Sequence, residues 1–265
     1  MFKQRLLTSL VLISLVLLAI YYAKVWVLKA LVLLLVVIGG WEWAQLVPIR
    51  RLVNKLFFMF VLLLLVYASS QWLSNWLVMG MVLWGFILFA VLTFPTSQNV
   101  WGYRILVSGA CLLLLPLFAN TLIAIYQHAR GKDLIVYLLC LVWATDVGAY
   151  LVGKGWGRHK LIPLVSPGKS VEGAAGGFLL AMLVAVIGYT FIHPHHHALT
   201  WYVIAVGTAL ISMLGDLFIS MLKRRCKLKD TGHVFPGHGG VLDRIDSLIA
   251  AAPLFYFGLT VLPLT

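Results

Sequence analysis

Long apolar runs recur along the whole of this 265-residue chain, and they constrain its fold more than any other feature. Several reach the ~20 residues that a helix needs to cross the hydrocarbon core of a bilayer. The runs are continuous rather than alternating, so helices rather than barrel strands must satisfy their backbone groups in lipid. Composition agrees. Hydrophobic residues make up 62% of the chain and charged residues 11%, against about 25% charged in an average soluble domain. The expected fold is an all-α polytopic integral membrane protein. Nine spans are expected, near 5–22, 25–41, 56–70, 76–93, 104–126, 133–152, 173–192, 201–222 and 247–264. Merging the first two across the short Tyr22–Lys24 connection gives an eight-span alternative with the N-terminus on the opposite side. Trp41, Trp43, Trp72, Trp76, Trp101 and Trp201 fall near span ends, where interfacial aromatics collect, and Glu42 is expected at the same boundary.

The net charge of +12 raises the question of nucleic acid. The bases lie in loops between spans, however, which points to anionic lipid headgroups and a phosphorylated substrate and away from nucleic acid. With a cytoplasmic N-terminus in the nine-span order, sixteen Lys and Arg fall in cytoplasmic segments and four outside. That bias puts the two richest loops, around 153–172 and 223–246, on the cytoplasmic face. Lys3 and Arg5 before the first apolar run resemble a signal peptide. No clean small-residue cleavage site follows, so a retained first helix is expected. Cys111, Cys140 and Cys226 have no short pair spacing and indicate neither a disulfide framework nor a zinc site. Residues 1–132 read as an apolar scaffold, and 133–265 as the region that carries chemistry.

Acids are scarce here, eight in all, yet four of them lie between Ser212 and Asp246. On a helix Asp216, Ser220 and Lys223 share one face, and Asp243 and Asp246 share another. Between them, Pro236, Gly237, His238, Gly239 and Gly240 suit a tight turn that folds the Asp243 pair back toward Asp216. Three carboxylates converging at a membrane surface suit Mg²⁺, which takes a few carboxylate oxygens together with substrate phosphates and water. The plainer alternative, that Asp243 and Asp246 only complement the positive start of the last helix, leaves Asp216 unexplained. A carboxylate among Met213, Leu214, Leu217 and Phe218 costs on the order of 3 kcal/mol in a bilayer. Together these residues describe a phosphoryl- or nucleotidyl-transfer site.

In the earlier basic loop, Ser166, Lys169 and Ser170 precede a helix and suit a phosphate at its N-terminus. An ordinary helix start, with Ser170 as cap and Glu172 in the first turn, fits equally well. Asp146 is an intramembrane acid and so a further functional candidate. Gly173 and Gly177 read as helix packing. His193, His195, His196 and His197 lie on the opposite side from the acids in this topology and are not expected to matter.

The run Ser220-x-Leu222-Lys223-Arg224, then Lys229-Asp230-x-Gly232, then Phe235-Pro236-x-His238-Gly239-Gly240-Val241-x-Asp243-Arg244-Ile245-Asp246 resembles the signature of phosphatidate cytidylyltransferases (CDP-diacylglycerol synthases). It spans 27 residues without a departure. Asp146-x-Gly148-Ala149-Tyr150 and Ser166-Pro167-x-Lys169-Ser170-x-Glu172-Gly173 resemble further motifs of that family, with Ser170 where many members carry threonine. The resemblance covers about residues 140–250. It implies Mg²⁺-dependent conversion of CTP and phosphatidate to CDP-diacylglycerol and pyrophosphate, in a bacterial-type inner membrane. It implies Asp216 and Asp243 as metal ligands, with Asp246 a third ligand or the holder of a base. Lys223, Arg224 and Arg244 would hold phosphates, with Ser166, Lys169 and Ser170 on the nucleotide. Ser220, Lys229 and His238 would join the substrate site. A second, monovalent cation and a homodimer are compatible with the resemblance. The competing readings are a CTP-dependent enzyme for another lipid (a polyprenol kinase or an ether-lipid cytidylyltransferase) and a cation transporter. The transporter would need polar residues threading several spans, and most spans here are wholly apolar.

Overall fold

A computed structural model of the protein describes residues 2–192, 198–232 and 239–261. The chain is a polytopic helical membrane protein with one small sheet. Its elements are α1 (Phe2–Tyr22), α2 (Val25–Leu46), α3 (Leu52–Gln71), α4 (Leu73–Leu92), α5 (Gln98–Trp101), α6 (Arg104–Gln127), α7 (Gly131–Trp156), β1 (Lys160–Ile162), β2 (Ser166–Ser170), α8 (Val171–Ile192), α9 (Ala198–Arg225) and α10 (Leu242–Val261). Among the described residues eight helices, α2–α4 and α6–α10, are long and apolar enough to cross a membrane, and α1 contributes a shorter apolar stretch, Ile13–Tyr22. Exposed leucines, valines and phenylalanines on α3 and α4 (Phe57, Phe60, Leu64, Val78, Phe86 and Phe89 among them) form faces suited to lipid.

The helices run further than the apolar runs suggested. α2 continues through Leu46 and so contains Glu42. α9 has 28 residues, about 42 Å at 1.5 Å per residue. That exceeds the ~30 Å apolar layer, so its basic end, Lys223 to Arg225, can project into the headgroup region. α10 begins at Leu242 and takes in Asp243 and Asp246. Two elements were not expected: the four-residue α5, and the antiparallel β1–β2 hairpin, whose register is irregular between Lys160 and Ile162. The tryptophan expectation is corrected in part. Trp41 and Trp72 are exposed, but Trp43, Trp101 and Trp201 are buried. Phe218 on α9 collects Trp43, Trp84 and Trp101, with ring centroids 6.2, 6.0 and 5.1 Å away. These rings serve helix packing and hold the segment of α9 next to Asp216.

The ends of the bundle are tied by charged side chains reaching backbone carbonyls. At one end, Arg225 donates to the carbonyls of Leu46 and Trp101, and Arg224 Nε donates to the Val165 carbonyl at 3.2 Å. The two basic loops therefore meet there. At the far end, Lys132 Nζ donates to the Tyr21 carbonyl at 2.7 Å, Tyr21 hydroxyl to Asp133 at 3.1 Å, and Arg130 to the Ile192 carbonyl. The α1–α2 and α6–α7 connections share this far end. His193–His197 lie outside the described residues.

Glycine decides how closely α7 and α8 approach. A Cβ added at Gly148 would lie 2.6 Å from the Gly176 carbonyl oxygen, and one at Gly173 2.8 Å from the Ala149 oxygen. At Gly177 it would overlap the Thr145 carbonyl. The Gly173–Gly177 pair thus serves helix packing, as read from its spacing.

Candidate active site

Three helices and the hairpin meet at the end where the basic loops lie. Gly215 on α9 lets α10 approach backbone to backbone, since an added Cβ there would stand 2.5 Å from the Asp246 carbonyl oxygen. This brings the Asp216 segment against Asp246, and Asp146 on α7 belongs to the same region of the bundle. Asp246 is buried, with Oδ1 accepting from the Ser247 amide at 2.8 Å. Asp216 is partly open. Its Oδ2 pairs with Lys169 Nζ at 2.6 Å, and its Oδ1 accepts from the Ser220 hydroxyl one turn later at 3.2 Å. Lys169 comes from β2, so the hairpin carries a cation directly onto the α9 acid. Arg244 is exposed on α10.

Asp243 is bonded through both carboxylate oxygens. Its Oδ1 accepts from Lys223 Nζ at 2.8 Å, and its Oδ2 accepts from the amides of Thr231 at 2.8 Å and Gly240 at 3.0 Å. The Asp243 side chain is 5% exposed. Gly239 makes this possible: its φ is +82°, and an added Cβ would come within 2.8 Å of Asp243 Oδ2. Backbone in that region favours glycine. Asp243 thus orders the segment leading into α10 and holds Lys223, rather than leaving its oxygens free.

The remaining expected residues divide in the same way. Ser170 is buried, and its hydroxyl accepts from the Gly173 amide at 3.1 Å, which caps α8. An added Cβ at Gly153, Gly157 or Gly173 would come within 3.2 Å of Ser170 Oγ, so these glycines seat the serine. Glu172 accepts from the amides of Arg158 and His159 and pairs with the His159 ring at 2.6 Å. Ser166 is half-buried in β2, whereas Arg224 and Lys229 are exposed. His238, with part of the expected turn, lies outside the described residues.

One residue in this region was misread from sequence. Glu42 is not on the surface but 3% exposed. Its Oε1 accepts from the Val241 amide at 3.0 Å, and its Oε2 accepts from the Leu242 amide at 2.7 Å and the Thr231 hydroxyl at 3.0 Å. The available signal was an acid among only eight in the chain, followed by mostly apolar residues that continue the helix through Leu46.

Among the described residues no group of three or more acidic, histidine or cysteine side chains is placed to hold a metal ion. The oxygens of Asp216 and Ser220, with Asp246 near them, are of the type a hard cation takes, and Mg²⁺ is commonly held by one or two carboxylates plus substrate phosphates and water.

The chain is similar to proteins named phosphatidate cytidylyltransferase. The one from Haemophilus influenzae is 48% identical over 134 residues, covering 48% of this chain and 46% of that protein. The one from Bacillus subtilis is 42% identical over 127 residues (48% and 47%), and one from Staphylococcus epidermidis is 39% identical over 126 residues (48% and 48%). Each match spans about half the length of the curated relative. The model of the cytidylyltransferase family reaches much further, matching residues 3–262. Since that match runs through the scaffold helices as well as the acid-bearing ones, the chain as a whole belongs to the cytidylyltransferase family.

Proposed function

We propose that the protein is a CTP:phosphatidate cytidylyltransferase that forms CDP-diacylglycerol and pyrophosphate in a bacterial-type inner membrane, with its active site facing the cytoplasm. The observation that carries this reading is the unbroken Ser220–Asp246 pattern, whose Asp246 lies near Asp216, the acid that pairs with Lys169 of the hairpin. Membership of the cytidylyltransferase family and similarity to proteins named for this activity support it.

Both reactants are anions, so the chemical problem is charge and alignment rather than proton removal. A phosphatidate oxygen is already ionised near neutral pH and needs no dedicated base. It attacks the α-phosphorus of CTP in line; the new P–O bond forms as the α–β bridging bond breaks, and pyrophosphate carries away the electron pair. Asp216 and Asp246 are the residues that would hold Mg²⁺, with Ser220 and Asp146 beside them. Asp243, the further ligand that the resemblance implies, holds Lys223 and the amides of Thr231 and Gly240 at the start of the same helix as Asp246. Bound Mg²⁺ would neutralise triphosphate charge and make the α-phosphorus more electrophilic. Lys169, at the open edge of the acids, and the exposed Arg224 and Arg244 supply positive charge for the phosphates of nucleotide and lipid. Lys223, held by Asp243, adds a fixed positive charge close by. The lipid reaches the site from the side, between helices, with its headgroup level with the basic loops.

The test is pyrophosphate release by purified protein given CTP, Mg²⁺ and phosphatidate, each omitted in turn. Release that needs all three, with CDP-diacylglycerol as the lipid product, is expected. Turnover with a prenol or an ether lipid but none with phosphatidate would overturn the substrate assignment. Silence with every lipid from folded protein would overturn the enzyme reading.

A further inference from the structure

We infer that Glu42 is a positioning residue of this active site: from α2, outside the signature, it sets where the segment bearing Asp243, Arg244 and Asp246 stands. The inference rests on the cytidylyltransferase reading above and adds a residue to it.

Glu42 is buried, and among the described residues no Lys or Arg pairs with it. Its charge is met instead by three donors, all from one stretch of the signature. Two are the amides of Val241 and Leu242, at the start of α10; the third is the Thr231 hydroxyl. The first amides of a helix have no partner within it and carry its positive end, so a carboxylate is the natural group to meet them. Bonds from an ionised acceptor are also roughly twice as strong as neutral ones.

The geometry extends beyond a helix cap. Thr231 and Val241–Leu242 lie on the two stems of the segment between α9 and α10, and Glu42 grips both. Asp243 grips the same stems through the amides of Thr231 and Gly240. Thr231 is 1% exposed and stands between the two acids, giving its hydroxyl to Glu42 and its amide to Asp243. The signature carries an imprint of this arrangement, because an added Cβ at either Gly232 or Gly240 would overlap the Glu42 carboxyl. Two signature glycines are thus shaped by a side chain some 190 positions away, as the 189-residue separation of Thr231 from Glu42 records. Leu242 opens the helix whose first turn holds Asp243 and whose next holds Asp246. A shift of Leu242 therefore moves the Lys223–Asp243 pair and the proposed metal-binding carboxylate together.

The experiment compares Glu42→Gln with wild type in the full-length protein, reading kcat, KM for CTP and phosphatidate, and hydrogen exchange across 239–246. In Glu42→Gln the side-chain amide faces backbone donors and cannot accept from all three. The expected result is faster exchange at 239–246, unchanged exchange in α6, and kcat lower by about 10²-fold, the scale of an ångström misplacement, with KM for CTP unchanged. A merely structural bond would lower thermal stability and leave kcat per folded molecule intact, and that outcome overturns the inference. If Glu42→Gln does not fold, Thr231→Val and Thr231→Ser decide: the valine lowers kcat and the serine restores it. Equal activity in those two variants sinks the proposal. A wild type silent with CTP and phosphatidate sinks the cytidylyltransferase reading itself, whereas an active wild type whose exchange and kcat are unaffected by Glu42→Gln sinks only the role of Glu42.

Discussion

At the residue scale, the two ion pairs of the site have different work to do. Lys223 and Asp243 are 10% and 5% exposed in their side chains, whereas Lys169 and Asp216 are each 28% exposed. Removing one partner of a buried pair strands the other, at a cost of about 3–5 kcal/mol; an open pair contributes about 0–1 kcal/mol. Lys223→Met should therefore lower stability sharply in a denaturation series, and Lys169→Met should lower turnover with little change in the melting midpoint. Equal stability losses would show that this distinction is wrong. Asp216→Asn and Asp246→Asn should abolish pyrophosphate release while the protein stays folded in the membrane, and near-normal turnover in either would remove it from the proposed metal site. Asp216 was legible as a candidate because an acid in an apolar helix needs a reason. The position of Asp243 was not, since its partners are the amides of Thr231 and Gly240, and side-chain identity does not reveal where backbone amides will point.

The elements that hold these residues are set by close packing and by turn chemistry. Along the α7–α8 contact, glycines let the two backbones nearly touch. Gly177→Ala should cost about 1–3 kcal/mol by overpacking. Gly85→Ala on α4, where an added Cβ meets nothing within 4 Å, should be neutral or stabilising by about 0.5–1 kcal/mol. Thermal unfolding in one detergent compares the two, and equal shifts would contradict the packing argument. The α7–α8 contact was readable from the Gly173–Gly177 spacing. The β1–β2 hairpin was not, because Pro163, Pro167 and Gly168 punctuate the stretch as a loop would. Its strands, three and five residues long, are held by contacts distant in sequence: β2 leads into the Ser170 cap of α8 and meets α9 through Lys169, and the turn before it meets α9 through the Val165 carbonyl and Arg224.

Across the whole molecule, the ends of the bundle divide the loops into two groups. Leu46, Trp101, Val165 and Arg225 belong to the site end, and Tyr21, Arg130, Lys132 and Ile192 to the far end. In cysteine-free background, Lys160→Cys and Lys132→Cys, both at exposed positions, should react with an impermeant maleimide from opposite faces of sealed vesicles, Lys160→Cys from the cytoplasmic one. Labelling of both from one face would overturn the proposed orientation. What the chain determined by itself was its solvent and the place of its candidate chemistry: sustained hydropathy demands helices in lipid, and scarce acids cluster with fixed bases between Ser212 and Asp246. Both are properties of local sequence that any fold of this chain must respect. What only the tertiary structure decided was which donors meet which acid. Glu42 and Asp243 are bound by donors spread along the Thr231–Leu242 segment, while Asp216 is met by Lys169 and Ser220. The fate of a carboxylate depends on the donors brought to it through space, and for Glu42 those donors lie nearly the length of the chain away.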